Sequence, residues 1–203
     1  MLSSCDRISA GGKSPLTGGI KEANAGGSTG LFITRLGIKA VIIEGQPHDA
    51  GWWVLHISKA GVRFDHADHL LGLGVYAAAN KLRETYGEKV TASLIGPGGE
   101  MQFASAGIQN LDQDGVPSRI AARGGIGAVM GSKRIKAIIW DAEGGEAPPI
   151  AHPSAYRTAQ KIYSQALVEQ KTVQNWRDYG TAGMTMLANA HGALPVRNFS
   201  QGS

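Results

Sequence analysis

The sequence predicts an α+β fold, in which short strands and a few helices are followed by a helical tail. Up to about Glu146, β-branched runs alternate with glycine turns, and 29 of the 203 residues are glycine, about twice average usage. A polar stretch rich in glycine and proline follows at 141–149 and predicts a domain boundary. Beyond it, apolar residues recur at helical spacing. We therefore predict two domains, residues 1–146 and 147–203.

Short apolar or β-branched runs predict the strands of the first domain. These runs are residues 40–44, 52–58, 62–64, 90–95 and 136–140. Gly61 separates the second run from the third, which predicts a hairpin with a short loop. One amphipathic helix is predicted between strands at 75–86, because apolar residues recur there at three- and four-residue steps before Gly87.

The tail predicts two helices. Apolar residues form a helical stripe over 156–167, with Pro153 at its start. Residues 181–191 predict a second helix that ends before Gly192. We expect this apolar stripe to need partners that the chain does not contain.

Composition excludes several classes of function. The chain has 20 basic and 16 acidic residues, and this net charge of +4 is spread too evenly for a nucleic-acid-binding face. No apolar run approaches the roughly 20 residues of a membrane span, and residues 1–10 lack the apolar core of a signal peptide. The single cysteine, Cys5, argues against a disulfide framework and predicts a cytoplasmic chain.

The most informative segment is the loop 122–133, Ala-Arg-Gly-Gly-Ile-Gly-Ala-Val-Met-Gly-Ser-Lys. Glycine lets main-chain N–H groups approach a ligand closely, and the guanidinium of Arg123 matches phosphate. The loop therefore predicts capture of a flat, phosphorylated cofactor. A dinucleotide fingerprint fits poorly, because Met130 stands where its third glycine is needed and no strand precedes the loop. A phosphate-binding P-loop fails because the order is Ser132-Lys133.

This loop resembles the segment AGRGGLGAVMGSKNLKAI of the tungsten-dependent aldehyde ferredoxin oxidoreductase family. Seven further stretches resemble that family in the same order and at similar spacing: KSPLTG (13–18), ANAGG (23–27), LGIKAVIIEG (36–45), DHADHL (65–70), IGPGGE (95–100), YGTA (179–182) and PVRNF (195–199). Together they cover nearly the whole chain. The resemblance implies two mixed β-sheets packed as a base with outer helices, followed by the start of a helical domain.

The resemblance also implies a function and a site. Such enzymes oxidise aldehydes to carboxylic acids at a tungsten or molybdenum bis-pterin cofactor and pass electrons through a [4Fe–4S] cluster to ferredoxin. It implies cofactor contacts at Arg7, Asn24, Gly26, Arg119, Ile120, Ala122 and Arg123. The main-chain carbonyls of Asn24 and Ile120 are implied to hold magnesium between the pterin phosphates. Ile120 and Ala122 stand where the family commonly has alanine and glycine, and no catalytic residue is predicted.

Other interpretations remain open beside this one. Asn24 is equally placed to cap a helix that begins near Gly27. His66 and His69 lie three residues apart beside Asp65 and Asp68, a pattern that could indicate a metal site. The resemblance, however, places these histidines at a strand-to-helix turn away from the cofactor.

The family runs to several hundred residues. The resemblance places the start of this chain inside the first domain, so that residues 1–146 are a pterin-binding base domain without roughly its opening third, and it places the end of the chain before a C-x-x-C-x-x-x-C cluster motif. We therefore expect a fragment that is inactive alone. Three functions remain open. The chain could be one part of an oxidoreductase that a complementing C-terminal chain or a second copy of this chain completes. It could instead be a non-catalytic fragment, or a free-standing pterin- or nucleotide-binding module.

Overall fold

The computed structural model describes residues 6–197 and 200–201. These residues form two compact units, and the chain passes from the first to the second between Pro149 and Ile150. This point lies in the linker where the boundary was predicted, slightly beyond Glu146. Cys5 and the Asn198-Phe199 end of the last family-like stretch lie outside the described residues.

The first unit alternates strands with short helices. In chain order its elements are β1 (Ile8–Lys13), β2 (Ile20–Ala25), α1 (Thr29–Arg35), β3 (Trp53–Ser58), β4 (Gly61–His66), a 3₁₀ turn (Asp68–Leu70), α2 (Val75–Tyr86), β5 (Thr91–Leu94), α3 (Pro97–Glu100), β6 (Ile108–Asn110), β7 (Arg119–Ala121), α4 (Ile126–Ser132) and β8 (Ile135–Trp140). The hairpin β3–β4 and helix α2 form where the apolar spacing predicts them.

The strands form two sheets. β1 and β2 make an antiparallel pair, and the other six strands form a sheet in the order β4-β3-β8-β5-β6-β7. In the larger sheet only β3 and β8 run parallel, so this sheet is mixed. The predicted α+β class with two sheets is confirmed, although the smaller sheet is purely antiparallel.

The larger sheet is covered on both faces. On one face, α2 packs Ala78, Ala79 and Leu82 into a core with alternate residues of β3, β5 and β8. On the other face, β2 and α4 contribute a second core that includes Ala23, Ala25, Ile126 and Met130. Burial on both faces explains why the side chains of the central strands β5 and β8 are buried along nearly their whole length rather than at alternate positions.

The strand predicted at residues 40–44 is wrong. These residues belong to no strand or helix, and the side chains of Val41 and Ile42 are 40% and 82% exposed. A β-branched run favours the strand conformation, but a strand also needs a neighbouring backbone to pair with. None of the described strands lies beside this segment as a ladder partner.

Strands β1 and β2 were not predicted, because glycine and charged residues interrupt the alternation of apolar and polar residues that indicates a strand. A turn at Ser14 joins them: the Ser14 hydroxyl accepts hydrogen bonds from the N–H groups of Leu16 and Thr17 at 3.2 and 3.1 Å. The Ser14 main chain also exchanges hydrogen bonds with Gly18 and Gly19. Local turn chemistry therefore sets the register of this hairpin.

The second unit is helical, as predicted. It contains α5 (Pro153–Glu169), α6 (Lys171–Tyr179), a 3₁₀ stretch (Gly180–Met184) and α7 (Thr185–Ala190). The predicted helix at 181–191 is in fact this 3₁₀ stretch followed by α7, and α6 was not predicted. No side chain of α5, α6 or α7 is buried. Over the residues that the structure describes, no helix combines the length and the apolar character needed to cross a membrane.

A buried ion pair ties β8 to α3. Lys136 is fully buried, and its ammonium group donates to the carbonyl of Ile95 at 2.7 Å and to the carboxylate of Glu100. The other oxygen of Glu100 accepts from the N–H of Gly72 at 2.9 Å. A buried charge is tolerated only when it is paired and hydrogen-bonded, so these partners are needed to keep Lys136 in the core.

We expect Glu100→Gln to lower the free energy of unfolding by about 3 kcal/mol, because it leaves the Lys136 ammonium buried without a counter-charge. Urea titration followed by tryptophan fluorescence measures this change. Combining Glu100→Gln with Lys136→Met should recover more than half of the loss, since the buried charge is then removed as well. Glu84→Gln, at an exposed position of α2, is the control. Equal stability of the Glu100 and Glu84 variants would contradict the role assigned to this pair.

Candidate functional site

The β1–β2 hairpin presents one exposed polar face. Ser9 lies opposite Asn24, and alternate residues face outward, so Ala23 and Ala25 are buried while Glu22 and Asn24 are exposed. The Ser9 hydroxyl lies 2.6 Å from Oδ1 of Asn24 and 2.8 Å from Oε1 of Glu22. Asn24 does not cap α1, which begins at Thr29, because its side chain is held by Ser9 within the hairpin.

The start of β7 lies against the end of this hairpin. A Cβ atom placed on Gly27 would lie 3.4 Å from Cγ of Arg119 and 2.6 Å from the carbonyl oxygen of Leu111. A Cβ atom placed on Gly30, in the first turn of α1, would lie 3.0 Å from the carbonyl oxygen of Arg7. The structure therefore brings together Arg7, Gly26–Gly27 and Arg119, which are about a hundred residues apart in sequence.

The remaining predicted residues continue from β7 into the turn before α4. Ala122 and Arg123 are exposed, whereas Gly124 and Gly125 are buried beneath them. Gly125 precedes α4 with a φ of 69°, and a Cβ there would lie 2.0 Å from the carbonyl oxygen of Ala104, so only glycine fits. Gly124 contacts the side chain of Lys21, which brings this turn beside β2.

Nearly all of the predicted side chains are exposed. Arg7, Asn24, Arg119, Ile120, Ala122 and Arg123 lie at the surface, and Gly26 is half-buried. Ile120 is 49% exposed and lies against Gly107, where a Cβ would approach its Cγ2 to 3.0 Å. The site is therefore an open surface with exposed guanidinium groups and closely packed glycine main chain around them.

This surface carries an excess of positive charge. Four cationic side chains are exposed on it, Arg7, Lys21, Arg119 and Arg123. Its nearby carboxylates are Glu22, Asp6 beside Gly30, and Asp112, whose charge acts on Arg119. The hydrogen bond from Ser9, with a second contribution from Asn24, lowers the pKa of Glu22 below its usual value, so this carboxylate stays ionised. Ser9 and Glu22 were not among the predicted site residues, although the alternation across 20–25 could have placed Glu22 beside Asn24.

The surface fits a phosphorylated cofactor on two structural grounds. Its guanidinium groups are exposed, that of Arg119 near the Asp112 carboxylate, and a guanidinium group binds phosphate in a fork-like geometry. In addition, Asn24 and Ile120 lie on β2 and β7, each at the edge of its sheet, and an edge strand leaves alternate main-chain carbonyls without a ladder partner. Magnesium prefers such oxygen ligands.

The histidines near Asp65 and Asp68 lie elsewhere. His66 ends β4 with its ring 4.4 Å from that of Trp53, and His69 belongs to the 3₁₀ turn, so the pair does lie at a strand-to-helix turn. Within residues 6–197 and 200–201, no three His, Cys, Asp or Glu side chains cluster as metal ligands do.

The turn before β7 is organised by Asp112. Its carboxylate accepts hydrogen bonds from the Ser118 hydroxyl at 2.6 Å and from the N–H groups of Val116 and Asp114 at 2.9 and 3.0 Å. These bonds, that of Ser118 foremost, hold the pKa of Asp112 below its usual value. The ionised Asp112 therefore fixes the turn from which Arg119 enters β7.

We expect Gly27→Ala to destabilise the chain by about 3 kcal/mol, because the added methyl meets the Leu111 carbonyl and the φ of 111° is unfavourable for alanine. Gly144→Ala is the matched control, since Gly144 also has a positive φ, of 69°, but open space around it. That control should cost about 1 kcal/mol. The measurement is chemical unfolding of both variants, and equal losses would show that the Gly27–Leu111 approach is not constrained.

We expect the Asp112 turn to loosen in acid. Because the pKa of Asp112 is lower in the folded chain, its stabilising effect is present above the unfolded pKa of about 3.9 and is lost as the pH falls through the folded value. The protection factor of the Val116 amide, its exchange rate compared with that of an unstructured peptide at the same pH, should therefore fall below about pH 4 in the native chain. Asp112→Asn should show a lower protection factor already at neutral pH and little further change in acid. A native chain whose exchange protection is independent of pH would contradict this role.

Comparisons with known proteins identify the family of this chain. The family model for the aldehyde ferredoxin oxidoreductase N-terminal domain matches residues 1–142. The tungsten-containing aldehyde ferredoxin oxidoreductases of Pyrococcus furiosus and Pyrococcus abyssi are 35% and 34% identical to this chain. Each comparison covers 94% of this chain and 30% of the relative. The chain thus spans less than a third of the length of these relatives.

More distant relatives share the same unit. The aliphatic sulfonate oxidoreductase, WOR-like subunit, of Pyrococcus furiosus is 26% identical, over 93% of this chain and 31% of that protein. The solved active-site complex BamBC of benzoyl coenzyme A reductase, in complex with 1,5-dienoyl-CoA, superposes with a TM-score of 0.75 at 25% identity. The superposition covers 84% of this chain and 25% of the benzoyl coenzyme A reductase chain. Because the family match runs from β1 to β8, the chain belongs to the aldehyde ferredoxin oxidoreductase family, and its first unit corresponds to the N-terminal domain.

Proposed function

We propose that this chain forms the cofactor platform of a tungsten- or molybdenum-pterin oxidoreductase that oxidises aldehydes to carboxylic acids, with ferredoxin as electron acceptor. The observation that supports this most directly is the convergence of Arg7, Gly26–Gly27 and Arg119 on one exposed surface. Relatives named as tungsten-containing aldehyde ferredoxin oxidoreductases match the chain over the same region.

Each part of the platform has a separate role in the proposal. Arg7, Arg119 and Arg123 pair with the phosphates of two pterins. The main chain at Gly26 approaches the flat pterin rings, because no Cβ intervenes. The carbonyls of Asn24 and Ile120 contribute oxygen ligands to a magnesium ion between the phosphates. Ala122 lies between these groups and leaves room for them.

The bound metal–pterin group would supply the two-electron redox chemistry, in which an aldehyde and water give a carboxylic acid, two protons and two electrons. The residues of this chain bind and orient that group and are not themselves reactants. The electrons would pass through a [4Fe–4S] cluster to ferredoxin. Such a cluster needs about four thiolates, and Cys5 is the single cysteine of this sequence.

We propose that the remaining parts of such an enzyme correspond to the regions of the relatives that this chain, which spans 30% of their length, does not match. Further residues of the same polypeptide or a complementing C-terminal chain would supply the cluster ligands and the aldehyde pocket. These or a second copy would supply the second side of the cofactor cage, with the enzyme in the cytoplasm. The exposure of the whole platform favours this arrangement, because an isolated platform leaves the cofactor open to water. The same exposure supports the second candidate function, a non-catalytic fragment that requires a complementing chain.

We expect the tagged chain, isolated from its native host together with its complement, to contain tungsten or molybdenum and pterin in stoichiometric amounts. Metal analysis by mass spectrometry and fluorescence of oxidised pterin measure these contents. Arg119→Ala combined with Arg123→Ala should reduce both by about tenfold or more, because two charge-assisted contacts to phosphate are lost. Arg35→Ala, an exposed position at the end of α1, should leave them unchanged.

The same chain purified alone should neither reduce a viologen dye with aldehyde nor contain an iron–sulfur cluster. Full cofactor content in the double arginine variant would refute the platform. Turnover by the isolated chain would refute the need for a complement.

A further inference from the structure

A network of buried polar side chains lies beneath the platform, and Asn110 of β6 is its central member. Asn110 is fully buried. Its Oδ1 accepts a hydrogen bond from the Ser93 hydroxyl at 2.6 Å, and the Ser93 oxygen accepts from the indole N–H of Trp140 at 3.2 Å. The Nδ2 group of Asn110 donates to the carbonyls of Arg119 at 3.3 Å and Ile108 at 3.4 Å. The network therefore leads from the core strand β8 to the first residue of β7.

The chemistry at its two ends fixes the direction of these hydrogen bonds. The indole N–H of Trp140 can only donate, so the proton of Ser93 is left to be donated to Asn110. At the other end, the carbonyl of Arg119 can only accept, and the NH₂ of Asn110 supplies the donor. A primary amide meets both demands, because it accepts through its oxygen and donates through its nitrogen. An ionised carboxylate at this position would have no proton for the Arg119 carbonyl.

Asn110 also connects the two halves of the platform. On one side its Oδ1 accepts from the Thr29 hydroxyl at 3.5 Å, and Thr29 begins α1 two residues after Gly27. On the other side its NH₂ holds the peptide unit that leads from Arg119 into β7. The single side chain of Asn110 thus contacts both the element that follows the Gly26–Gly27 turn and the main chain of Arg119.

The next residue, Leu111, strengthens the connection to the glycine turn. Its carbonyl accepts hydrogen bonds from the N–H and from the hydroxyl of Ser28, each at 3.0 Å. The Ser28 hydroxyl also lies 2.6 Å from that of Thr91 on β5. Residues 110 and 111 together therefore set the spacing between the Gly26–Gly27 turn and Arg119.

Orientation is what Asn110 contributes beyond filling space. A buried amide is a costly way to fill a core position, because an apolar side chain of similar size needs no hydrogen-bond partners. A fully paired polar network, in contrast, fixes one arrangement of the groups that it joins. All the donor and acceptor positions of the Asn110 amide are occupied, by the Ser93 and Thr29 hydroxyls and by the two carbonyls.

We propose that Asn110 is a positioning residue of the platform, which holds the main chain of Arg119 at the distance from the Gly26–Gly27 turn at which both halves contact one phosphorylated ligand. Asn110 is fully buried and does not touch the ligand itself. The identity of the ligand rests on the proposed function, whereas the placement of Arg119 can be measured without any ligand.

The test compares the native 203-residue chain with two variants. Asn110→Leu keeps a side chain of similar size but removes the donor to the Arg119 carbonyl. Ser93→Ala is the matched control, because it removes a buried hydroxyl from the same network and leaves that donor in place. Asn110→Ser is a second variant in case the leucine variant does not fold, since its single proton cannot serve both carbonyls. Urea titration shows whether the variants lose similar stability.

The first measurement is nuclear magnetic resonance of the isotopically labelled chain without ligand. We expect both Asn110 variants to shift the carbonyl ¹³C resonance of Arg119 upfield, because its hydrogen bond from the amide is lost. They should also weaken or abolish the nuclear Overhauser effect between the α protons of Gly27 and the γ protons of Arg119, which the close approach of these residues predicts. Ser93→Ala should leave both signals near their native values.

The second measurement is the tungsten or molybdenum and pterin content of the protein isolated from its native host together with its complement. The Asn110 variants should lower this content by about fivefold or more, because a displaced Arg119 no longer grips phosphate together with the glycine turn. Ser93→Ala should retain nearly the native content.

Two results would overturn the proposal. One is an Arg119 carbonyl resonance that is unchanged in the Asn110 variants. The other is an equal loss of cofactor in Ser93→Ala and in the Asn110 variants, because lower stability alone would then account for it. Absence of metal and pterin from the native protein would refute the proposed function instead, and the resonance comparison would still decide whether Asn110 positions Arg119.

Discussion

Burial of β8 on both faces is the constraint on which the rest of the first unit depends. β8 pairs in parallel with β3 and antiparallel with β5, so it joins the β3–β4 hairpin to the β5–β6–β7 half of the sheet. A strand in this position must be apolar along its whole length. Lys136 is the exception, and its ammonium group is neutralised by Glu100 and hydrogen-bonded by main chain, which in turn fixes α3.

The central strand β8 determines the geometry of the candidate site. α4 leads directly into β8, and it packs so closely on α3 that a Cβ on Gly131 would lie 1.9 Å from the carbonyl oxygen of Gly99. The position of α4 determines where its first turn lies, and hence where Gly125 and the exposed Arg123 lie. A platform of exposed arginines is thus positioned by a rigid core beneath it, although none of its own side chains is buried.

The sequence was sufficient for the elements whose pattern is local. Helix α2 and strands β3 and β8 follow from apolar spacing, because each buries apolar side chains. Strand β4 is exposed, and it follows from the turn at Gly61 that pairs it with β3. It was not sufficient for residues 40–44, which have strong strand preference but no partner, since pairing depends on distant parts of a chain. It also failed for β1 and β2, whose register comes from the Ser14 turn rather than from apolar alternation. The exposed site residues carry no periodic signal, so the family resemblance was needed to select them, and Ser9 and Glu22 emerged only from the hairpin register.

Relatives with different named reactions share this unit, including an aliphatic sulfonate oxidoreductase subunit and a benzoyl coenzyme A reductase. A fold shared across such reactions does not by itself select a substrate. Within the proposed function, we therefore infer that the unit supplies what these reactions have in common, and that substrate choice lies outside this unit.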